Sequence, residues 1–310
     1  MPEETYVLLQ SSKGFDGWRG LFGHAAPGLR VVPPDSAPGV LERVRYACVW
    51  DPPEGLFAAL PNLRAVLALG AGVDSFIGDP SLPHQVVIGR IVDPQMTRMV
   101  TEYAVMAVLW HHRGFGQVTR NQARQTWAKP VQGGRRVGVL GLGVLGRAVA
   151  QALTHLGFDV AGYSLHPKRL PPVETFAGSP CLASFLARSE TLINLLPLTP
   201  ATRSILDRSL LSMLPRGACL VNMGRGEHLV EADLLDALDT GHLGGAVLDV
   251  FRQEPLPESS PLWRHPRVLV TPHMAGASSR EERARLILAE IDRLEQGLAP
   301  TYPADRARGY

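Results

Sequence analysis

The run VGVLGLGVLGRA, residues 137–148, limits the possible folds of this chain more than any other segment. An apolar stretch that reads as a strand leads into Gly141, Gly143 and Gly146, and a helical pattern leads out of them. Each glycine answers a separate physical need. Gly141 permits a tight turn, Gly143 lets backbone approach a pyrophosphate, and Gly146 lets the helix pack closely on the strand. The intervening Leu142, Val144 and Leu145 belong to the same dinucleotide-binding turn, whose helix N-terminus offers unpaired N–H groups to phosphate. The spacing alone is a weak signal, and the strand before it and helix after it give it force.

Around this unit, short apolar runs alternate with helical patterns, as in a parallel sheet covered by helices. The alternation occurs twice. Strands are expected at Tyr6–Gln10, Arg45–Trp50, Leu63–Gly70 and Gln85–Ile91, with the first set ending near Asp93-Pro94. A long helix is expected over Thr97–His112. The second set comprises Arg136–Leu140, Asp159–Tyr163, Thr191–Leu195, Ala218–Asn222, Gly245–Val250 and Val268–Thr271, six strands that suggest a complete dinucleotide-binding unit. A closing amphipathic helix carries Ala284, Ile287, Leu288, Ile291 and Leu294 at helical spacing, with Ser279 and Glu282 as a capping box and Gly297 as its stop. The expected class is α/β, with doubly wound parallel sheets.

Composition narrows the function. At 310 residues, 45% hydrophobic and 19% charged, the chain suits a globular protein of two domains with a large core. Its net charge of +2 lacks the concentrated basic excess that nucleic-acid binding needs. Cys48, Cys181 and Cys219 are odd in number and too scattered for a disulfide framework or a zinc site, so no metal is expected. The opening MPEETYVLLQ has too short an apolar run for a secretory segment, and no stretch approaches the ~20 apolar residues of a membrane span. A cytoplasmic location without membrane association is the expectation.

Cofactor choice turns on the end of the strand after the fingerprint, where an acidic side chain would hold a free ribose 2′-hydroxyl. Ser164 stands there, followed by His166, Lys168 and Arg169, so a 2′-phosphate meets a hydroxyl and positive charge instead of a carboxylate. NADPH is therefore expected over NADH. Lys168 and Arg169 also have a plainer reading, as solvated residues of a surface loop.

Three further residues carry acid–base chemistry. Arg225, Glu254 and His273 each follow a predicted strand, so parallel strands would bring them to one edge of the sheet. An ionised Glu254 against the His273 ring would favour imidazolium and keep a proton available near neutrality. Arg225 would hold substrate oxygens through its fork of donors. The plainer reading of Arg225 and Glu254 is an ordinary surface ion pair.

With these residues in place, the chain resembles the D-isomer-specific 2-hydroxyacid dehydrogenases, most closely the glyoxylate/hydroxypyruvate reductase A type. The likeness runs end to end, through LALGAGVD (67–74), GLGVLG (141–146), INLLPLTPAT (193–202), VNMGRG (221–226), LDVFRQEPLP (248–257), TPHMAG (271–276) and DRARGY (305–310). It implies that Arg225 polarises the substrate, that His273 is the acid–base residue and that Glu254 is its partner. It further implies that amides of Ala71, Gly72 and Val73 receive the substrate carboxylate, that Leu196, Pro197 and Thr199 line the cofactor, and that Asp249 accepts from the nicotinamide carboxamide. Trp50 would face the cleft and restrict it to small substrates, although core packing is an equally open reading of this residue.

The resemblance also implies an architecture. Residues 1–95 and 281–310 would form a discontinuous flavodoxin-like substrate-binding domain, with the NAD(P)-binding Rossmann domain, 96–280, inserted between them. Hinges are implied near Asp93-Pro94 and Ala277. A homodimer is implied through the long helix and the segment to Trp127, while Met99, Tyr103 and Trp110 have core packing as the plainer alternative. The expected activity is NADPH-preferring reduction of small 2-oxo acids, glyoxylate and hydroxypyruvate. Its alternatives are an NAD-dependent dehydrogenase of a larger or phosphorylated substrate and a nucleotide-sensing binding protein on the same fold.

Overall fold

The computed structural model describes residues 4–11, 14–26, 28–276 and 279–310. The implied hinge residue Ala277 lies outside them. The chain divides into two compact units, Met1–Pro94 with Ser278–Tyr310, and Gln95–Ala277.

The first unit runs β1 (Thr5–Gln10), α1 (Phe15–Ala25), β2 (Leu29–Val32), α2 (Pro38–Leu41), β3 (Val44–Val49), β4 (Ala65–Ala68) and β5 (Val87–Gly89). Its strands form a five-stranded sheet in the order β2-β1-β3-β4-β5, every pair parallel. This is the flavodoxin-like winding.

The second unit carries α3 (Pro94–His112), α4 (Phe115–Ala123), β6 (Arg136–Leu140), α5 (Val144–His155), β7 (Asp159–Ser164), β8 (Glu174–Ala177), α6 (Ser179–Ala187), β9 (Thr191–Asn194), α7 (Arg208–Ser212), β10 (Ala218–Asn222), α8 (Glu231–Asp239), β11 (Leu243–Leu248) and β12 (Val268–Val270). Its seven strands are parallel and ordered β12-β11-β10-β9-β6-β7-β8, a doubly wound sheet whose direction of winding reverses between β6 and β9. The last helix, α9 (Arg280–Glu295), belongs to the first unit.

Burial on both faces explains why the strands read as continuous apolar runs. In the first unit, Val7, Leu9, Tyr46, Cys48 and Leu67 face Trp18, Phe22 and the α9 residues Ala284, Ile287 and Ile291. The opposite side chains, Leu8, Ala47, Val49 and Val66, pack on Phe57 and Phe76. The α9 N-terminus is capped by Ser279 Oγ, which accepts from the Glu282 amide at 3.2 Å, and the chain leaves the helix through Gly297 at φ +75°.

Two strands depart from the sequence-based expectation. LRVV (β2) and ETFA (β8) are edge strands, each paired on one side only, so the second sheet holds seven strands where six were expected. Both are four residues long, carry a charge and stay half exposed, which erases the apolar run that marks a central strand.

Candidate active site

The glycine turn lies where the winding of the second sheet reverses, the place at which open α/β sheets bind ligands. Each of its glycines has a distinct surrounding. Gly141 has φ +106°, and a Cβ there would lie 2.7 Å from the Leu195 carbonyl of the loop after β9. A Cβ on Gly146 would sit 1.8 Å from the Gly141 carbonyl, so α5 approaches the turn as only glycine allows. Gly143 differs, because a Cβ there would enter open space. A backbone that is bare although nothing in the protein requires it leaves room for a ligand to approach, and the seat fits a pyrophosphate.

At the far end of β7, Lys168 Nζ donates to the Leu142 carbonyl at 2.7 Å, which places its ammonium beside the glycine turn. Ser164 is buried, and its hydroxyl donates to the His166 carbonyl at 2.7 Å, shaping the loop that presents Lys168. His166 and Arg169 are exposed on that loop.

The three acid–base candidates occupy loops at the carboxyl ends of β10, β11 and β12. His273 Nδ1 lies 2.7 Å from Glu254 Oε2. An ionised carboxylate only accepts, so Nδ1 carries the proton and Nε2 is the ring atom left to exchange one. The other carboxylate oxygen, Oε1, accepts from the Phe251 amide at 3.0 Å and fixes the Glu254 side chain on its own loop. His273 itself has φ +49°, an uncommon conformation for a non-glycine residue, held by donation from its amide to the Asp249 carbonyl at 2.8 Å.

Asp249 is buried, and its carboxylate fastens the loop that bears His273. Oδ1 accepts from Thr271 Oγ1 at 2.6 Å and the Met274 amide at 3.0 Å, and Oδ2 accepts from the Ala275 amide at 2.9 Å. Three of its about four lone-pair directions hold the loop, and one remains to accept a further donor. Tyr103 adds a hydroxyl contact to Thr271 at 2.6 Å. This aromatic ring belongs to the core, where burial pushes its hydroxyl pKa well above the ordinary phenol value.

The arginine loop is clamped from both sides. Arg225 Nη1 donates to the Gly224 carbonyl at 2.9 Å, and the side chain stays partly exposed. Next to it, a Cβ on Gly226 would lie 1.9 Å from the Phe251 carbonyl carbon, so this glycine seats the Arg225 loop directly on the Glu254 loop. Beneath lies a buried polar network that sequence reading missed. Asn194 Nδ2 donates to Asn222 Oδ1 at 2.9 Å and contacts His228 Nδ1 at 2.8 Å, while Asn194 Oδ1 accepts from the Leu196 amide at 3.2 Å. Asn222 Nδ2 donates to the Arg225 carbonyl at 3.1 Å. The available signal was polar residues closing the apolar strands TLIN and ACLVN. Leu196 and Pro197 thereby share a scaffold with Arg225, and Thr199 is fixed through its amide to Thr202 Oγ1 at 2.8 Å.

In the first unit, Ala71, Gly72 and Val73 follow β4. The preceding Gly70 lies against the Trp50 indole, where a Cβ would come within 2.6 Å of Cζ3. Trp50 therefore packs against the start of that loop while remaining partly exposed.

The chain is similar to known proteins of one family. Residues 105–275 match the family model described as D-isomer specific 2-hydroxyacid dehydrogenase, NAD binding domain. The chain is 43% identical over 282 residues to the glyoxylate/hydroxypyruvate reductase A of Serratia proteamaculans, covering 88% of this chain and 90% of that protein. A D-isomer specific 2-hydroxyacid dehydrogenase from Xanthobacter autotrophicus Py2, solved with NADPH and MES, is similar with a TM-score of 0.92 at 40% identity, over 99% of this chain and all of that one (100%). An NADPH-dependent glyoxylate/hydroxypyruvate reductase from Sinorhizobium meliloti, solved with NADP and sulfate, superposes with a TM-score of 0.89 at 35% identity, over 99% and 100% of the two chains.

Proposed function

This chain belongs to the D-isomer specific 2-hydroxyacid dehydrogenase family, and from that premise we propose that it is an NADPH-preferring reductase of small 2-oxo acids, with glyoxylate and hydroxypyruvate as substrates. The observation that carries the reading is the 2.7 Å contact between His273 Nδ1 and Glu254 Oε2, which leaves Nε2 as the proton-donating atom. When bound, the reduced nicotinamide supplies a hydride to the carbonyl carbon. His273 gives its proton to the carbonyl oxygen, and the product is the 2-hydroxy acid. Arg225 directs donors at the oxygen on which negative charge grows, an effect worth about 3 kcal/mol per well-aimed donor. Glu254 holds the ring in the productive tautomer.

The assignment of the remaining roles follows the same reading. Gly141 to Gly146 seat the pyrophosphate, Lys168 with His166 and Arg169 meets the 2′-phosphate, and Leu196, Pro197 and Thr199 line the nucleotide. Backbone amides of Ala71, Gly72 and Val73 receive the substrate carboxylate, with Trp50 limiting side-chain size. In this reading Gln95–Ala277 is the cofactor unit, and the unit formed by Met1–Pro94 with Ser278–Tyr310 binds substrate.

A homodimer is the proposed assembly. Its support is apolar surface on one stretch of the second unit, where Met106, Leu109, Phe115, Trp127 and Val131 are all exposed. The segment after α4 is held against that helix by Asn121 Nδ2 to the Ala128 carbonyl at 3.2 Å and the Val131 amide to Gln117 Oε1 at 3.1 Å. A cytoplasmic location is also proposed, supported by three free cysteines. No helix among the described residues is long and apolar enough to cross a membrane.

Steady-state rates with glyoxylate, hydroxypyruvate, pyruvate and 3-phosphohydroxypyruvate, each with NADPH and NADH, test the proposal. The expected result is the highest kcat/KM for the first two with NADPH. His273→Ala is expected to lower kcat roughly a thousandfold while NADPH affinity changes little. Near-normal turnover of glyoxylate by that variant contradicts the assignment.

A further inference from the structure

We propose that His228 is a positioning residue that braces the arginine loop and the nucleotide-lining loop, each through its own nitrogen of a single imidazole ring, an inference that rests on the reductase reading above. His228 is completely buried, at 0% exposure, in the short helical turn that follows Arg225. Its Nδ1 receives the backbone N–H of Arg225 at 3.2 Å, and its Nε2 faces the Pro197 carbonyl at 3.2 Å. An amide N–H can only donate and a carbonyl can only accept, so the ring is held as the Nε2–H tautomer. Asn194 Nδ2, 2.8 Å from the same Nδ1, adds a second donor and confirms its role as acceptor.

The environment is built around this ring. A Cβ on Gly224 would come within 3.1 Å of His228 Nδ1 and 2.9 Å of Asn194 Nδ2, so glycine is what lets the loop close over the network. An apolar side chain could fill the same volume, but it could not join the two loops. Burying a polar ring costs free energy unless its hydrogen bonds are made, and here both ring nitrogens meet suitable partners. The imidazole is also rigid, so the Arg225 amide and the Pro197 carbonyl keep a fixed separation.

Two near-isosteric variants separate the edges of the ring. His228→Asn keeps an acceptor near the Nδ1 position and loses the reach to Pro197. His228→Gln keeps a donor near the Nε2 position and loses the acceptor for the Arg225 amide. NADPH affinity is measured by quenching of tryptophan fluorescence, and glyoxylate KM and kcat by initial rates at saturating NADPH. The Asn variant is expected to bind NADPH about tenfold more weakly with kcat and glyoxylate KM nearly unchanged, and the Gln variant to bind NADPH normally while kcat/KM for glyoxylate falls about tenfold, each loss corresponding to one buried hydrogen bond. Generic damage to the core would move both properties together. Variants that behave alike, whether both lose everything or neither loses anything, overturn the inference. A wild-type ring 15N spectrum showing the Nδ1–H tautomer for His228 also overturns it, and that measurement stands even where a variant does not fold. Absence of glyoxylate turnover by the wild-type protein counts against the reductase reading instead, since the tautomer and the contrast in NADPH affinity are read without catalysis.

Discussion

At the scale of single residues, this site depends on where a side chain is absent as much as on where one is present. Gly226 and Gly143 make the contrast clear. A Cβ at Gly226 meets the Phe251 backbone at 1.9 Å, and backbone cannot move aside as a flexible side chain can. Gly226→Ala is therefore expected to cost about 1–3 kcal/mol of stability and to lower kcat/KM by separating the Arg225 and Glu254 loops. Thermal denaturation and kinetics check this, and near-wild-type values in both would contradict the clamp. A Cβ at Gly143 meets nothing within 4 Å. Gly143→Ala is accordingly expected to keep its Tm and lose NADPH affinity, because the added methyl occupies space reserved for ligand. A Tm loss comparable to that of Gly226→Ala would sink that account. The fingerprint spacing already marked Gly143 for a ligand, but the role of Gly226 required knowing that the Phe251 backbone approaches it.

Among the elements, the central strands and long helices were the legible ones. β1, β3, β6, β9 and β10 are buried on both faces and so written as apolar runs, whereas β2 and β8 at the sheet edges are not. A further tie between elements joins β6 to the chain before β9. Glu190 accepts from the Arg136 amide and its guanidinium, both at 3.0 Å, and Gly134 passes so close that a Cβ would lie 1.9 Å from Glu190 Oε2. Partial burial raises the Glu190 pKa, but the bonds from Arg136 outweigh burial and hold the carboxyl below its ordinary value. A depressed carboxylate pKa stabilises the fold above the unfolded pKa, and the contribution disappears as pH falls through the folded one. Glu190→Gln is expected to cost about 1 kcal/mol at neutral pH, an estimate kept small because the pair is partly solvated. Denaturant melts at pH 7 and pH 3 should show that difference shrinking in acid. A difference of the same size at both would mean the carboxylate charge contributes nothing.

For the molecule as a whole, the exposed apolar stretch on α3, α4 and the segment to Val131 is the surface that bears on the proposed assembly. Met96, Val100, Tyr103, Ala104, Ala107 and Val108 bury one face of α3, while Met106 and Leu109 on another face remain exposed. Trp110 stacks on Phe115 at 5.8 Å, and Trp127 is fully exposed. Trp127→Glu is expected to convert the proposed dimer to monomers in sedimentation equilibrium, since a charge buried in an apolar contact is costly. A wild-type protein that sediments as a monomer would remove the basis for the assignment. What was readable without coordinates was set by short-range physics: turn sterics at the glycine fingerprint, strand and helix periodicity, and the order of Arg225, Glu254 and His273 along one sheet edge. The edge strands β2 and β8, the loop clamp at Gly226, the anchoring carboxylate of Asp249 and the Asn194–Asn222–His228 network were not readable. Each depends on atoms tens of residues apart in the chain, which only packing in three dimensions brings within hydrogen-bonding distance.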